Sequence, residues 1–392
     1  MDVKSTLKAI RLKLPKVLAI TLFAFLLSTV MMKPFSFSAS AFLSNPEKSD
    51  FAITDFYSML ADSREVREVD RDIAIINLKG LDREGIARVI DMMPDLNPAA
   101  VGLDVLFAQP REAEADDHLM VAISQCPRLV LAASTSESAE KPGTFDWKER
   151  SFFADDLAEI PSGVTNFPTK YPKSTIREFK PFFPMEAKGD SSLSFATAVA
   201  AIGRPESYRA LRERGRDKES ISFHSRTFLT FLPEEIEANR ELLERRILLL
   251  GDMSDLTDMH ATPVTSTMSG VEIHANALST IVHGEYLNPL SEGSNIAIAL
   301  LLCFIIILMA SVIPIKVKGL VIRLSQVVLL FAVVYVGYVV FLNHNIVVDF
   351  SYALLMIAFG MFANDIWLGG EYVIMDRLIP RYKSSLLKKH LK

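Results

Sequence analysis

Three apolar runs near the carboxyl end, Ile296–Ile313, Leu324–Leu342 and Ile346–Trp367, constrain this chain more than any other feature. Each holds about 18 to 22 residues, enough to cross a hydrocarbon core of roughly 30 Å at 1.5 Å per residue. The break Pro314–Arg323 carries Lys316, Lys318 and Arg323, whereas Asn343–Asn345 carries no permanent charge. Lysine and arginine beside a span stay on the cytoplasmic side, so the Lys316 loop and the basic tail are expected inside and the Asn343–Asn345 turn outside. Glu292, and what precedes it, then falls on the outer face.

The amino terminus agrees. Lys4, Lys8, Arg11, Lys13 and Lys16 precede the run Val17–Met32, which Phe35 and Phe37 can extend. A basic flank before an apolar run also suits a cleaved signal peptide. The run is long for one, and no small-x-small cleavage site follows Met32, so an uncleaved anchor is expected. The chain then divides into a cytoplasmic tail 1–16, an anchor 17–37, an outer domain 38–292, three spans within 293–368 and a basic cytoplasmic tail 369–392. Tyr372–Lys392 alternates leucines with basic residues and is expected on the anionic inner leaflet, with docking to a cytoplasmic partner as the alternative. Net charge is −5 and topology explains the basic residues near the membrane, so no nucleic-acid partner is expected. Cys126 lies in the outer domain and Cys303 in a span, which argues against an intrachain disulfide.

Within the outer domain, Lys33–Glu47 reads as a connector and Asp50–Val69 as a helix. β-branched runs at Asp72–Leu78, Ala100–Phe107 and Leu129–Ala133 read as buried strands. Between them lie a helix from the N-cap Asp82 to Met93 and another over Glu112–Ser124. This alternation predicts an α/β fold, a mostly parallel sheet with covering helices. Two short strands near Gly163–Phe167 and Thr175–Phe183, a helix over Leu193–Ile202, a strand at Arg246–Gly251 and a helix over Ser269–His283 complete it. The charged stretch Arg204–Arg246 reads as a surface excursion with helical pieces.

Asp252, Asp255, Asp258, His260, Glu272, His274 and Asn276 form the cluster that could carry chemistry. Asp258, His260, Glu272 and His274 offer metal-ligand types, but their spacing matches no HExxH or other zinc signature, so no metal is expected. His274 shares a helical face with Val271, Ala275 and Leu278 and is expected to donate to a backbone carbonyl in the core, with a polar ligand pocket as the alternative. Asp104 sits inside the run GLDVLF. Either it is a buried carboxylate accepting backbone N–H bonds, the favoured reading, or it points to a ligand crevice at the carboxyl ends of the strands. Asp252 follows the strand at Gly251 and belongs to the same edge, so Asp104 and Asp252, with Asp258 and His260, are the expected rim of a pocket. Asp349, Asn364 and Asp365 lie near the ends of the last span and read as solvated ends rather than an ion path. No nucleophile elbow, catalytic Cys–His spacing or paired glycosidase-like carboxylates can be argued, so neither an enzyme nor a cofactor is expected.

Four stretches together resemble the CHASE2 family, the extracytoplasmic sensory domain of bacterial transmembrane receptors. They are Ala87–Phe107 with VGLDVLF, GVTN at Gly163–Asn166 followed by TIREFKPFF, RILLLGD leading to HATP over Arg246–Pro263, and GVEIHANALSTIVHG over Gly270–Gly284. GVTN and TIREFKPFF look like the family's short strand pair, and Gly270, Glu272, His274 and Asn276 lie in the most specific stretch, here taken as a structural motif. The resemblance covers most of Asp50–Leu290 and implies a multi-pass protein of the bacterial inner membrane, with both termini cytoplasmic. It also implies an output domain after the last span, such as a nucleotide cyclase or a kinase. Gly369–Lys392 is too short for one and no kinase Gly-rich loop or Walker A pattern is present, so the output is expected on another chain. The reading is therefore a sensory subunit that binds an unknown extracytoplasmic ligand or protein, sits in the bilayer, acts on a separate effector and is free to form a homo-oligomer. Its rivals are a structural subunit of an envelope complex and an extracytoplasmic enzyme built on Asp104, Asp252, Asp258 and His260.

Overall fold

A computed structural model describes residues 13–30, 53–62, 67–169, 174–186, 191–313 and 315–374. The expected connector Lys33–Glu47, the extension of the first span to Phe37 and the tail beyond Ile374 lie outside the described residues. The chain divides into two units, residues 50–287 and residues 1–49 with 288–392.

In chain order the main elements are α1 (Lys13–Val30), α2 (Ile53–Asp62), β1 (Glu68–Asn77), α3 (Arg83–Asp91), β2 (Ala100–Leu103), α4 (Ala113–Gln125), β3 (Leu129–Glu137), β4 (Phe145–Glu149) and β5 (Ser162–Val164). They continue with α5 (Phe195–Gly203), α6 (Pro205–Arg214), β6 (Arg226–Phe231), β7 (Ile247–Gly251), α7 (Gly270–His283), α8 (Glu292–Val312), α9 (Ile315–His344) and α10 (Ser351–Tyr372).

The sheet of unit 50–287 runs β6-β1-β7-β2-β3, with β5 parallel to β3 and β4 antiparallel to its outer half. Every other neighbouring pair is parallel. Both faces are covered, which is why the strands are apolar throughout rather than alternating. Ala74, Ile76, Val101, Leu103, Leu129, Leu131, Leu248 and Leu250 pack with α3 and α4. Ile73, Ile75, Ala100, Val130, Ile247 and Leu249 pack with α5 and α7 on the other side. Asp82 caps α3 as expected, its carboxylate accepting from the Gly85 N–H at 2.8 Å. The late strand β7 enters between β1 and β2, so the chain segments after β2 and after β7 leave the sheet side by side.

Several expectations are corrected. The helix read over Asp50–Val69 ends at Asp62 among the described residues, and Val69 belongs to β1. The strand read as Ala100–Phe107 pairs only to Leu103, so Asp104 follows the strand instead of lying within it. GVTN and TIREFKPFF do not form a strand pair: Ser162–Val164 joins β3, whereas Glu178–Phe179 pairs with Glu219–Ser220. The Arg204–Arg246 excursion contributes β6, an edge strand of the main sheet.

Gly163 marks where β5 lies directly on α5. A Cβ there would stand 2.6 Å from the Cα of Phe195, a backbone atom that cannot swing aside. Gly163→Ala is expected to destabilise the protein by about 1–3 kcal/mol, read as a lower thermal midpoint; an unchanged midpoint would refute the close approach.

In the other unit, Lys13–Val30, Glu292–Val312, Gly319–His344 and Ser351–Tyr372 are long and apolar enough to cross a membrane, and the chain is a membrane protein. The last of these helices begins at Ser351 rather than Ile346. Ile346–Val347 instead pairs with Asn288–Pro289, and the Asp349 carboxylate accepts from the Ser351 N–H at 2.9 Å. Asn364 is buried, whereas Asp365 is exposed, so only the latter is a solvated end. Cys126 and Cys303 are both buried free thiols.

Candidate functional site

A cavity of about 810 Å³ opens at the carboxyl ends of the parallel strands, within the size range of small-molecule sites. Asp104 comes from the end of β2, Thr165–Phe167 from the end of β5 and Asp252 from the end of β7. The segment between β7 and α7 closes it. Met259–His260 pairs antiparallel with Met268–Ser269, and this hairpin delivers the chain to the start of α7.

The hairpin fixes Asp258. One carboxylate oxygen accepts from the Gly270 N–H at 3.0 Å, at the first turn of α7, where the helix dipole favours an anion. The other lies 3.1 Å from Nε2 of His260. Gly270 lets the carboxylate come this close: a Cβ there would stand 2.3 Å from an Asp258 oxygen and displace it. Asp252 and Asp255 each commit one oxygen to a local turn, Asp252 to Ser254 and Asp255 to Thr257. The Asp255 carboxyl is held below its ordinary range by the Thr257 hydroxyl and then by the Thr257 N–H.

Asp104 and His274 differ from these in having no side-chain hydrogen-bond partner among the described residues. The Asp104 carboxyl is half-buried, lines the cavity and accepts no hydrogen bond from a described residue. The favoured expectation, a carboxylate satisfied by backbone N–H groups, is therefore corrected; the Asp104 backbone N–H itself donates to the Leu250 carbonyl at 2.8 Å. Burial, and then the negative charge of Asp258, pushes the Asp104 carboxyl up to about 8. His274 is 4% exposed, stacked on Phe167 at 4.6 Å and edge-on to Phe195 at 5.0 Å. It does not donate to a core carbonyl; it lines the cavity with no hydrogen-bond partner among the described residues. Burial pulls it down to about 4, with the Asp258 charge acting the opposite way and His260 adding to the fall. It is thus a neutral imidazole at physiological pH.

The cavity gathers Asp104, Asp252, Asp258 and His260, together with Gly270 and His274. Glu272 and Asn276 stay outside it. The Glu272 carboxylate accepts from the Ser269 N–H and hydroxyl, a capping box at the head of α7. Asn276 is buried and donates to the Glu272 carbonyl at 2.8 Å. Asn166, Phe167 and Ile176 also line the cavity and are absent from the residues expected at the site. Asn166 is held by the Thr135 N–H, which donates to its side-chain oxygen at 2.7 Å. The GVTN run carries the clue: a polar pair directly after a β5 strand falls on the same sheet edge as Asp104.

Residues 29–311 match the family model of the CHASE2 domain, a family of sensory extracellular domains. No curated protein and no solved structure matches the chain. The family match covers most of the chain, from the first apolar helix into α8, and the chain belongs to the CHASE2 domain family.

Proposed function

We propose that the protein is a membrane-bound sensory subunit that binds a small polar ligand in the sheet-edge cavity and signals to a cytoplasmic effector on a separate chain. The observation that carries this reading is the cavity itself, lined by two polar side chains, Asp104 and His274, that have no hydrogen-bond partner among the described residues. Buried polar groups in a finished core are hydrogen-bonded, so groups left open in a concave site are groups kept for a ligand. The basic flanks support a sensory domain outside the cytoplasmic membrane of a bacterium, with both termini inside.

The cavity wall is tied to the segments that continue toward the spans. α7 starts at Gly270 under the Asp258 carboxylate, ends at His283, and a short connection leads to Glu292 at the head of α8. Ile176 lines the cavity, and its neighbour Arg177 makes a two-pronged ion pair, 2.7 Å at each contact, with Asp55 on α2. α2 follows the first apolar helix in the chain. A ligand that favours one arrangement of this wall shifts the balance between two states of the domain. Binding is the reading that the site supports best: Asp258 lies 3.1 Å from His260 and itself accepts from the Gly270 N–H, a fixed polar wall for a ligand.

Chemical crosslinking in the native membrane, followed by purification of the full chain, tests the assignment. A cytoplasmic chain with a catalytic output domain should be recovered, in an amount that Asp104→Asn and Asp252→Asn alter. Recovery of envelope proteins alone, in fixed stoichiometry whatever the cavity variant, would replace the sensor with a structural subunit.

A further inference from the structure

We infer that the cavity takes a small organic cation bearing a primary ammonium group, received by Asp104, by the uncommitted oxygens of Asp252 and Asp255, and by the His274 ring. The inference rests on the ligand-cavity reading above and adds the chemistry of the ligand.

Four carboxylates line the cavity, and no lysine or arginine does among the described residues. An anion such as a phosphate or a dicarboxylate would face the carboxylates of Asp252, Asp255 and Asp258 with no cationic side chain among the described lining residues to offset them. The free groups are acceptors. Asp252 and Asp255 each keep one oxygen outside their local turns, the Asp104 carboxyl accepts no bond from a described residue and gives up its proton to solvent as the cation arrives, and the neutral His274 ring, buried and lining the cavity, offers a lone pair. A ligand rich in N–H donors and carrying positive charge satisfies all of them. A neutral polyol supplies donors but brings no charge to offset the clustered carboxylates, whose mutual proximity is unfavourable.

A bare metal ion fits less well. Coordination needs several ligand atoms converging on one point. Among the described residues only Asp70, Asp72 and His283 bring three such atoms within 4.8 Å of one another, and they lie away from this cavity. An ammonium on a short carbon chain imposes no such convergence. The Phe167 ring and Ile176 give its methylenes an apolar wall.

The test uses the full chain in lipid nanodiscs, with 1,4-diaminobutane as the probe and succinate, glucose and Zn²⁺ as comparators. Succinate is included also because Lys170 and Lys173 lie outside the described residues. Diaminobutane should raise the thermal midpoint saturably and bind by calorimetry, with affinity reduced tenfold or more by Asp104→Asn and by Asp252→Asn. Asp252 sits on a turn outside the core, so its variant keeps the fold if Asp104→Asn does not. Binding that neither variant weakens overturns the inference, because the amine is then held elsewhere. Saturable binding of a comparator in place of the amine overturns the ligand class and leaves the cavity reading standing. Silence toward all four probes overturns the ligand class. If the two variants also leave the crosslinked partner unchanged, the cavity reading falls with it.

Discussion

Replacing Asp70 with alanine is expected to lower the thermal midpoint of the protein by about 10 °C, from a loss of about 3–5 kcal/mol. Asp70 has no exposed surface, yet its carboxylate holds two elements together. One oxygen accepts the N–H groups of Asp72 and Ile73 at 2.8 and 3.0 Å, shaping the irregular start of β1. The other accepts the Ser279 hydroxyl at 2.9 Å and lies 3.0 Å from Nε2 of His283, both on the last turns of α7. Alanine leaves those donors buried without an acceptor, the costliest kind of deletion. Asp72 completes the group and is engaged by Arg204. Engaged oxygens and a competing guanidinium make this a hydrogen-bonded clamp rather than a metal site. Burial alone would raise the Asp70 pKa, but the bonds from His283, Asp72 and Ser279, with the His283 charge, outweigh it and hold the carboxyl below its ordinary range. A depressed acid contributes stability above its unfolded value of about 3.9 and loses it as pH falls through the folded value. The gap between parent and variant should therefore be full at pH 7 and shrink below about pH 4. Circular dichroism melts of the full chain in detergent would show it, and equal midpoints at pH 7 would refute the clamp.

The fold was legible where local signals were strong, and the site only where it followed from the fold. The apolar runs, the buried strands β1, β2, β3 and β7 and the Asp82 cap each announce themselves within about ten residues. β6 does not, because an edge strand that mixes half-buried residues such as Arg226 with exposed ones such as Thr227 looks like any charged surface stretch. Asp104 was misplaced because Val105–Phe107 continues the apolar run after pairing has stopped; Phe107 turns away into the core against Phe153. Its place on a sheet edge beside Asp252 follows from the parallel topology, so that pairing could be anticipated from sequence. His274 could not. Its helical spacing suits a core position, and the two rings that hold it, Phe167 and Phe195, come from distant parts of the chain. The contact between Asp258 and the Gly270 N–H likewise needs the 259–269 hairpin to bring the two together.

Asp104→Asn is expected to stabilise the empty protein at alkaline pH while weakening the site. The folded carboxyl, pushed up to about 8 by burial and by Asp258, keeps a proton that the unfolded chain releases near 3.9. Between those values the folded state binds more protons, so the parent loses stability as pH rises. A shift of about four units has a ceiling of about 5–6 kcal/mol at 1.36 kcal/mol per unit. Because this half-buried carboxyl borders an open cavity, about 2–4 kcal/mol is the reasonable expectation, or roughly 5–10 °C in midpoint. His274 contributes the opposite slope, since a lowered imidazole adds stability as pH rises from about 4 to 6.5, but that gain is complete before the Asp104 loss ends. Taking the difference between variant and parent at each pH also cancels cavity groups that do not sense Asp104, whereas Asp258, whose charge helps raise the Asp104 carboxyl, is part of the difference measured. The two should melt together near pH 4 and diverge steadily to pH 9, the variant higher. Parallel melting curves across that range would mean that Asp104 is ionised and compensated by something other than a ligand. Divergence, with loss of ligand response in the same variant, identifies a residue kept at the expense of stability, and such a residue belongs to a binding site rather than to the core.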